Sequence, residues 1–230
     1  MSVRVIVRTV SELCITVGTL IVLFVVYVLF WTGVKADTEM DHQVDLLRDR
    51  WAKQPAGPAS GQGAPAAPQR PTPYRDAEPF ALMYIPRLGS TWNKPVLEGT
   101  KTDTLKKGLG HYANTTQLGQ KGNFAVAGHR RTYGDPFKDF PKLRPGDAVV
   151  LSDGADWFTY VVDKGPYRTL PTDVQVIDPL PRKSGYTRAG RYLTLTTCDP
   201  EWGHSHRLVV WGHLESTQPV ESGKPEALRR

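Results

Sequence analysis

Residues 191–200 read Arg-Tyr-Leu-Thr-Leu-Thr-Thr-Cys-Asp-Pro. Leu193 and Leu195 alternate with Thr194 and Thr196, the two-residue period of a strand. Pro200 has no N–H to give a ladder, so the strand is expected to stop near Cys198. A side chain at a strand end opens towards a loop rim rather than into a core. Nine positions after Cys198, Arg207 begins a second β-rich run, Leu208-Val209-Val210-Trp211. A short loop joins the two. If the strands pair, Cys198 and Arg207 lie side by side at one end of a sheet.

Outward from this pair the texture is the same. The runs FALMYIPRL (80–88), NFAVAGH (123–129), DAVVLSDG (147–154), DWFTYVVDKG (156–165), DVQVIDP (173–179) and RLVVWGHLE (207–215) are rich in Val, Ile, Thr and aromatic residues. Ser152-Asp153-Gly154-Ala155-Asp156 is a hairpin signal between two of them. Helical stretches are expected to be short, over 102–107 and 136–143. The pattern predicts an all-β barrel or sandwich over residues 76–217, long enough to bury a core. The polar tail, 218–230, is expected to fray.

The first third is different. Residues 13–34 read LCITVGTLIVLFVVYVLFWTGV, with no charge. As a helix this segment is long enough to cross a hydrocarbon layer of roughly 30 Å. Arg4 and Arg8 precede it, and Asp37, Glu39 and Asp41 follow. That asymmetry predicts residues 1–12 in the cytoplasm and everything after Val34 outside, in a single-pass cell-membrane protein. Trp31 sits where an interfacial aromatic belongs. The apolar run is longer than a signal-peptide core and has no small-residue cleavage site, which favours a retained anchor. Residues 35–75 are read as an extracellular linker. Within it, 40–51 reads as a short helix with Val44, Leu47 and Trp51 on one face. The Pro/Ala/Gly-rich run QPAGPASGQGAPAAPQRPTP follows as a semi-stiff spacer.

Only two cysteines are present, Cys14 in the apolar span and Cys198 in the exported region. They are too far apart in kind of environment to pair. A lone thiol outside the cell points to reactivity. The plainer alternative is a small buried hydrophobe. A nucleophilic cysteine needs a base or cation close by. His129 supplies a candidate at the end of the run Phe124-Ala125-Val126-Ala127-Gly128, where Gly128 permits close backbone approach. Arg207 supplies another. His111, His204, His206 and His213 read as surface or packing residues, with His206, next to Arg207, the strongest secondary candidate. No Cys-x-x-Cys, His-Glu-x-x-His or glycine-rich phosphate loop occurs, and His204-Ser205-His206 has no third ligand, so no metal or other cofactor is expected. The formal charge of +6 is modest, and no Lys/Arg run is long enough to argue for nucleic acid.

Thr194-Leu195-Thr196-Thr197-Cys198 ahead of Arg207, with Ala127-Gly128-His129 upstream, resembles the sortases. The fuller run GNFAVAGHRRTYGDPF, with TLTTC and His111-Tyr112, resembles the class E sortases of high-GC Gram-positive bacteria. The resemblance covers about residues 79–214. It implies an eight-stranded β-barrel and a cysteine transpeptidase. In the family, a sorting signal of Leu-Pro-x-Thr-Gly type on a surface protein is cut between Thr and Gly. The resulting thioester is resolved by an amine of a peptidoglycan precursor. Carried over by motif, Cys198 is the nucleophile, His129 the acid/base and Arg207 the oxyanion or substrate stabiliser. Class E sortases are associated with Leu-Ala-x-Thr-Gly signals. Tyr112 matches the family's substrate-pocket position, and its hydroxyl can bond the amide N–H that Ala has and Pro lacks. Thr196 and Thr197 are further pocket candidates. A calcium site like that of class A sortases has no clustered acids here, because Asp135, Asp139 and Asp147 are scattered. Two other readings fit the residues: a cysteine hydrolase that uses water, and a non-catalytic surface binding module.

Overall fold

A computed structural model describes residues 3–53 and 73–229, apart from the side chains of 28–34. The Pro/Ala/Gly-rich spacer and the interfacial position of Trp31 therefore lie outside the described residues.

Eight strands close into one barrel in the order β1-β2-β3-β4-β7-β8-β6-β5. They are β1 (Pro79–Tyr84), β2 (Asn93–Glu98), β3 (Leu109–His111), β4 (Gly122–Ala127), β5 (Ala148–Ser152), β6 (Asp156–Thr169), β7 (Arg191–Asp199) and β8 (His206–Pro219). Two neighbouring pairs are parallel, β2 with β3 and β4 with β7. The other six are antiparallel. Closure removes the free edges that an open sheet would otherwise expose.

Alternation along the strands fills the barrel. Phe124 and Val126 of β4, Leu193 and Leu195 of β7, and Leu208 and Val210 of β8 enter one core with Phe137, Phe140, Tyr160 and Val162. The outer face of β7 is also covered. A 3-10 turn at Val174–Ile177 lies over it, and Val176 packs with Val209 and Trp211. Trp211 Nε1 donates to Val176 O at 3.0 Å, and Thr194 Oγ1 donates to Asn123 Oδ1 at 2.9 Å. Strands β4 and β7 are thus clamped from both sides. They form a rigid floor whose polar groups are satisfied.

Several sequence expectations need correction. The run DVQVIDP is the covering 3-10 turn, not a strand. Its apolar residues face the sheet from outside, and periodicity over so short a run does not separate the two states. Strand β2 carries Pro95, which argues against a strand on sequence, and β3 has three residues. Residues 136–143 hold only a 3-10 turn at Phe140–Lys142, and 102–107 hold the single-turn helix α2 (Thr102–Leu105). The tail does not begin at 218. β8 runs on to Pro219, paired with Asp156, and Val220 N–H donates to Ala155 O at 2.8 Å.

The largest correction concerns residues 35–53. The helix expected over 40–51, with Val44, Leu47 and Trp51 on one face, is present, but it is the end of one long helix, α1 (Val3–Lys53), rather than a separate element in a linker. Its residues Val3–Tyr27 form one apolar segment long enough to cross a membrane. Beyond it, Met40, Val44 and Leu47 recur at i, i+4 and i+7 and are buried. Val44 and Leu47 pack on Leu82 of β1, with Trp51 and Tyr84 around them. Arg50 Nη1 donates to Pro79 O at 3.1 Å. No Pro or Gly interrupts residues 34–53, so nothing local ends the helix, and the barrel supplies the surface that its apolar stripe needs. Leu47→Ala is expected to weaken this docking by about 2–3 kcal/mol. Hydrogen exchange should then accelerate over residues 40–51 while the amides of β4 and β7 keep their protection.

Candidate active site

The register of β7 on β8 puts Cys198 directly opposite Arg207. Thr194 and Trp211 face the outside of the barrel, so by alternation Cys198 and Arg207 project on that same outer face. Directly opposed residues have Cβ atoms about 4.5–5.5 Å apart. Arg207 Nη1 donates to His204 O at 3.0 Å and His206 O at 2.9 Å. The loop between the strands thus orients the guanidinium, and no carboxylate among the described residues neutralises it.

His129 arrives from the neighbouring strand. β4 runs parallel to β7, with Ala127 beside Thr196, so both chains leave the sheet at one end. The ladder continues one step further, because Gly128 N–H donates to Thr196 O at 3.1 Å. A Cβ on Gly128 would lie 2.6 Å from Phe137 and 2.7 Å from Leu109. Only glycine lets the chain pass here. His129, Cys198 and His204 line one cavity of about 320 Å³, with Arg130, Arg131, Thr132, Glu201, Trp202 and Gly203. Cys198 is half-buried.

The His129 ring packs on Tyr133, centroids 5.0 Å apart, and its buried Nε2 has no hydrogen-bond partner among the described residues. Burial pushes its pKa below the ordinary value of 6.5, and the Lys106 ammonium pushes the same way. The loop that follows is strained. Tyr133 and Asp135 have positive φ, 52° and 48°, with Gly134 at 77° between them. Arg131 Nη1 holds it through Asp135 Oδ2 at 3.2 Å, and Asp37 and Met40 of α1 lie against Gly134. Helix α1 therefore reaches the segment that carries His129. A sequence pattern has no sign of that contact.

The other predicted residues divide. Tyr112 OH lies 3.0 Å from Thr196 Oγ1, so these two meet on the outer face on which Cys198 lies. Thr197 does not join them. Its hydroxyl is buried and donates to Gly128 O at 2.8 Å, because the next residue on a strand faces the other way. Its structural role is to tie β7 to the His129 segment rather than to meet a ligand. His111 is a buried packing residue, with Nδ1 2.6 Å from Glu98 Oε2 under the Tyr112 loop. His213 faces Asp163, and His206 Nδ1 lies 3.0 Å from Arg168 Nη2. Sequence reading missed Arg130, Arg131, Asp199 and Trp202. The guanidinium of Arg131 lies 4.5 Å from the Trp202 ring centroid at the cavity mouth.

The Sortase domain family model matches residues 83–215. The chain belongs to the sortase family. It is 38% identical over 228 residues to Sortase SrtE1 of Streptomyces coelicolor, covering 96% of this chain and 60% of that protein. It therefore spans about 60% of that relative's length. Sortase SrtE2 of the same organism is 34% identical, covering 97% of this chain and 88% of that one. The solved structure of sortase E from Streptomyces avermitilis is 78% identical, with a TM-score of 0.65, and covers 68% of this chain and 100% of that one. The structure of Sortase E1 from Streptomyces coelicolor with a tripeptide in the active site is 38% identical, with a TM-score of 0.62, and covers 66% of this chain and 97% of that one. The relatives place this sortase with class E, and its closed eight-stranded barrel is the fold the family resemblance implies.

The depressed pKa of His129 makes a signed prediction. The unfolded chain takes up this proton below about pH 6.5 and the folded chain does not, so His129 lowers stability as pH falls through that value. Lys106→Gln removes one of the two causes. A proton-NMR titration of the His129 ring is expected to give a higher midpoint in Lys106→Gln than in the parent sortase.

Proposed function

We propose that this sortase is a membrane-anchored transpeptidase that cuts a Leu-Ala-x-Thr-Gly or Leu-Pro-x-Thr-Gly signal between Thr and Gly, with residues 13–34 as its anchor. Cys198 attacks the Thr carbonyl as thiolate. Negative charge builds on the carbonyl oxygen, and Arg207, always charged, stabilises it. The minor fraction of His129 that carries a proton, kept small by its lowered pKa, gives that proton to the departing glycine nitrogen. The protein substrate is left as a thioester on Cys198. A peptidoglycan-precursor amine then attacks the thioester, His129 takes a proton from that amine, and the thiolate leaves. The catalytic domain works outside the cell, with residues 1–12 on the cytoplasmic side.

The observation that carries this reading is the register: Cys198 opposite Arg207, with His129 delivered to the same cavity by the parallel partner of β7. Tyr112 and Thr196 support the choice of signal. With the phenol donating to Thr196 Oγ1, its oxygen keeps lone pairs for the N–H of an alanine at the second position. A proline there has no N–H to donate. That a related Sortase E1 holds a tripeptide in its active site agrees with a peptide substrate.

Incubation with a fluorescent Leu-Ala-x-Thr-Gly peptide and a diamine tests the reaction. The expected product is the peptide joined to the amine, and Cys198→Ala should form neither thioester nor product. Release of free acid only, at saturating amine, would make the enzyme a hydrolase. Arg207→Ala is expected to lower kcat about 10²–10³-fold. Tyr112→Ala is expected to shrink the preference for Ala over Pro at the second position. An unchanged ratio of the two kcat/KM values sinks that assignment.

A further inference from the structure

Asp199 follows the nucleophile on β7, and by alternation its side chain turns to the face opposite Cys198. Its two carboxylate oxygens are committed to different elements. Oδ1 accepts from Arg130 Nη1 at 2.6 Å, and Oδ2 accepts from Arg168 Nε at 2.6 Å. Arg130 is the residue after His129. Arg168 lies on β6, and its Nη2 is 3.0 Å from His206 Nδ1, the cross-strand neighbour of Asp199. The side chains of Arg130 and Asp199 are 11% and 15% exposed. Little water competes for this pair, so removing one partner leaves a nearly buried charge without compensation.

His129 needs such an anchor. No hydrogen bond among the described residues orients its ring, and the loop after it is strained. Its position is set by its backbone, and the first side chain beyond it that is fixed to β7 is Arg130, whose Nη1 also lies 3.5 Å from Cys198 O. The same carboxylate sorts the charges around the site. Asp199 neutralises Arg130 and Arg168, while Asp135 and Glu201 neutralise Arg131. Among the described residues, Arg207 is left as a guanidinium at the site with carbonyl partners alone.

We propose that Asp199 is a positioning residue that, by clamping Arg130 to the end of β7, sets where the His129 imidazole stands relative to Cys198. The inference rests on the roles given above to Cys198 and His129. Asp199 itself touches no reacting atom. Burial works against its charge, but the hydrogen bonds from Arg168 and Arg130 prevail and hold its carboxyl below the ordinary carboxylate range. The clamp is thus closed throughout the neutral range.

Chemistry separates this role from plain structural support. Breaking the Thr–Gly amide requires a proton on the leaving nitrogen, and His129 must stand within reach of it. A nitrophenyl ester of the same peptide needs no such proton, because nitrophenolate leaves as the anion. In the acylation step, which kcat/KM reports, a displaced His129 therefore slows the amide far more than the ester, whereas a disordered Cys198 slows both; resolution of the thioester, which also uses His129, is common to the two substrates.

The experiment compares full-length parent, Asp199→Asn, Arg130→Gln and the double variant in detergent micelles, on the peptide amide and on its nitrophenyl ester. Asp199→Asn is expected to lower kcat/KM on the amide about tenfold or more, and kcat/KM on the ester less than about threefold. The double variant should be no slower than the slower single one, since both break one contact. Equal losses on the two substrates, or no loss on the amide, overturn the inference. Should Asp199→Asn fail to fold, Arg130→Gln breaks the same contact from the other side, and the same amide-against-ester split decides. Cys198→Ala serves as the control for the underlying reading: if it still turns over either substrate, the nucleophile assignment is wrong, an outcome distinct from equal losses at Asp199.

Discussion

Parallel pairing of β4 with β7 forces two strands to end at the same end of the sheet. Ala127 lies beside Thr196, and Gly128 extends the ladder by one more bond to Thr196 O. His129 and Cys198 then emerge together, although 69 positions separate them in sequence. β8 returns antiparallel along the other side of β7, and its second residue, Arg207, lies opposite Cys198. One three-strand register thus assembles thiol, imidazole and guanidinium. Because the side-chain period is two, a one-residue slip of β7 would turn Cys198 inward and bring Asp199 or Thr197 out in its place.

That register is protected by burial on both faces. Inside, Leu193, Leu195 and Phe124 lock it into the core. Outside, Thr194 bonds Asn123 beneath the turn at Val174–Ile177, and Trp211 bonds the same turn. A slip would break these apolar and polar contacts together. The floor of the site is therefore packed on both faces and its polar groups are paired. The rim carries the strain: Tyr133 and Asp135 hold left-handed backbone next to His129, supported by Arg131, Lys106 and helix α1. A sortase must accept two substrates in turn at one thiol. A rigid floor with a braced but separately held histidine loop suits that order of events.

Much of this was legible in residues 191–215. Strand alternation, the stop at Pro200 and the start at Arg207 follow from local chemistry, because side-chain period and the missing proline N–H act over a few residues. The charge-free helix of the N-terminal third is equally local. Thr197 shows where that logic bends. Its neighbour Thr196 meets Tyr112, while Thr197 faces inward and bonds Gly128 O. Adjacent threonines look alike in sequence, and only the strand's orientation in the barrel tells them apart.

By itself the sequence determined the strand texture and the apolar helix, and it singled out Cys198, His129 and Arg207 as candidates. Only the tertiary structure decided what surrounds them. Residues 35–53 carry a helical pattern, but their docking on β1 and against Gly134 depends on a surface built from strands far along the chain. Arg130 and Asp199 look like ordinary surface charges until β4 and β7 pair. Their meaning lies in a 2.6 Å contact between residues 69 positions apart. Periodicity records which face a residue prefers. It does not record which distant residue will share that face, because that follows from register and closure of the whole barrel.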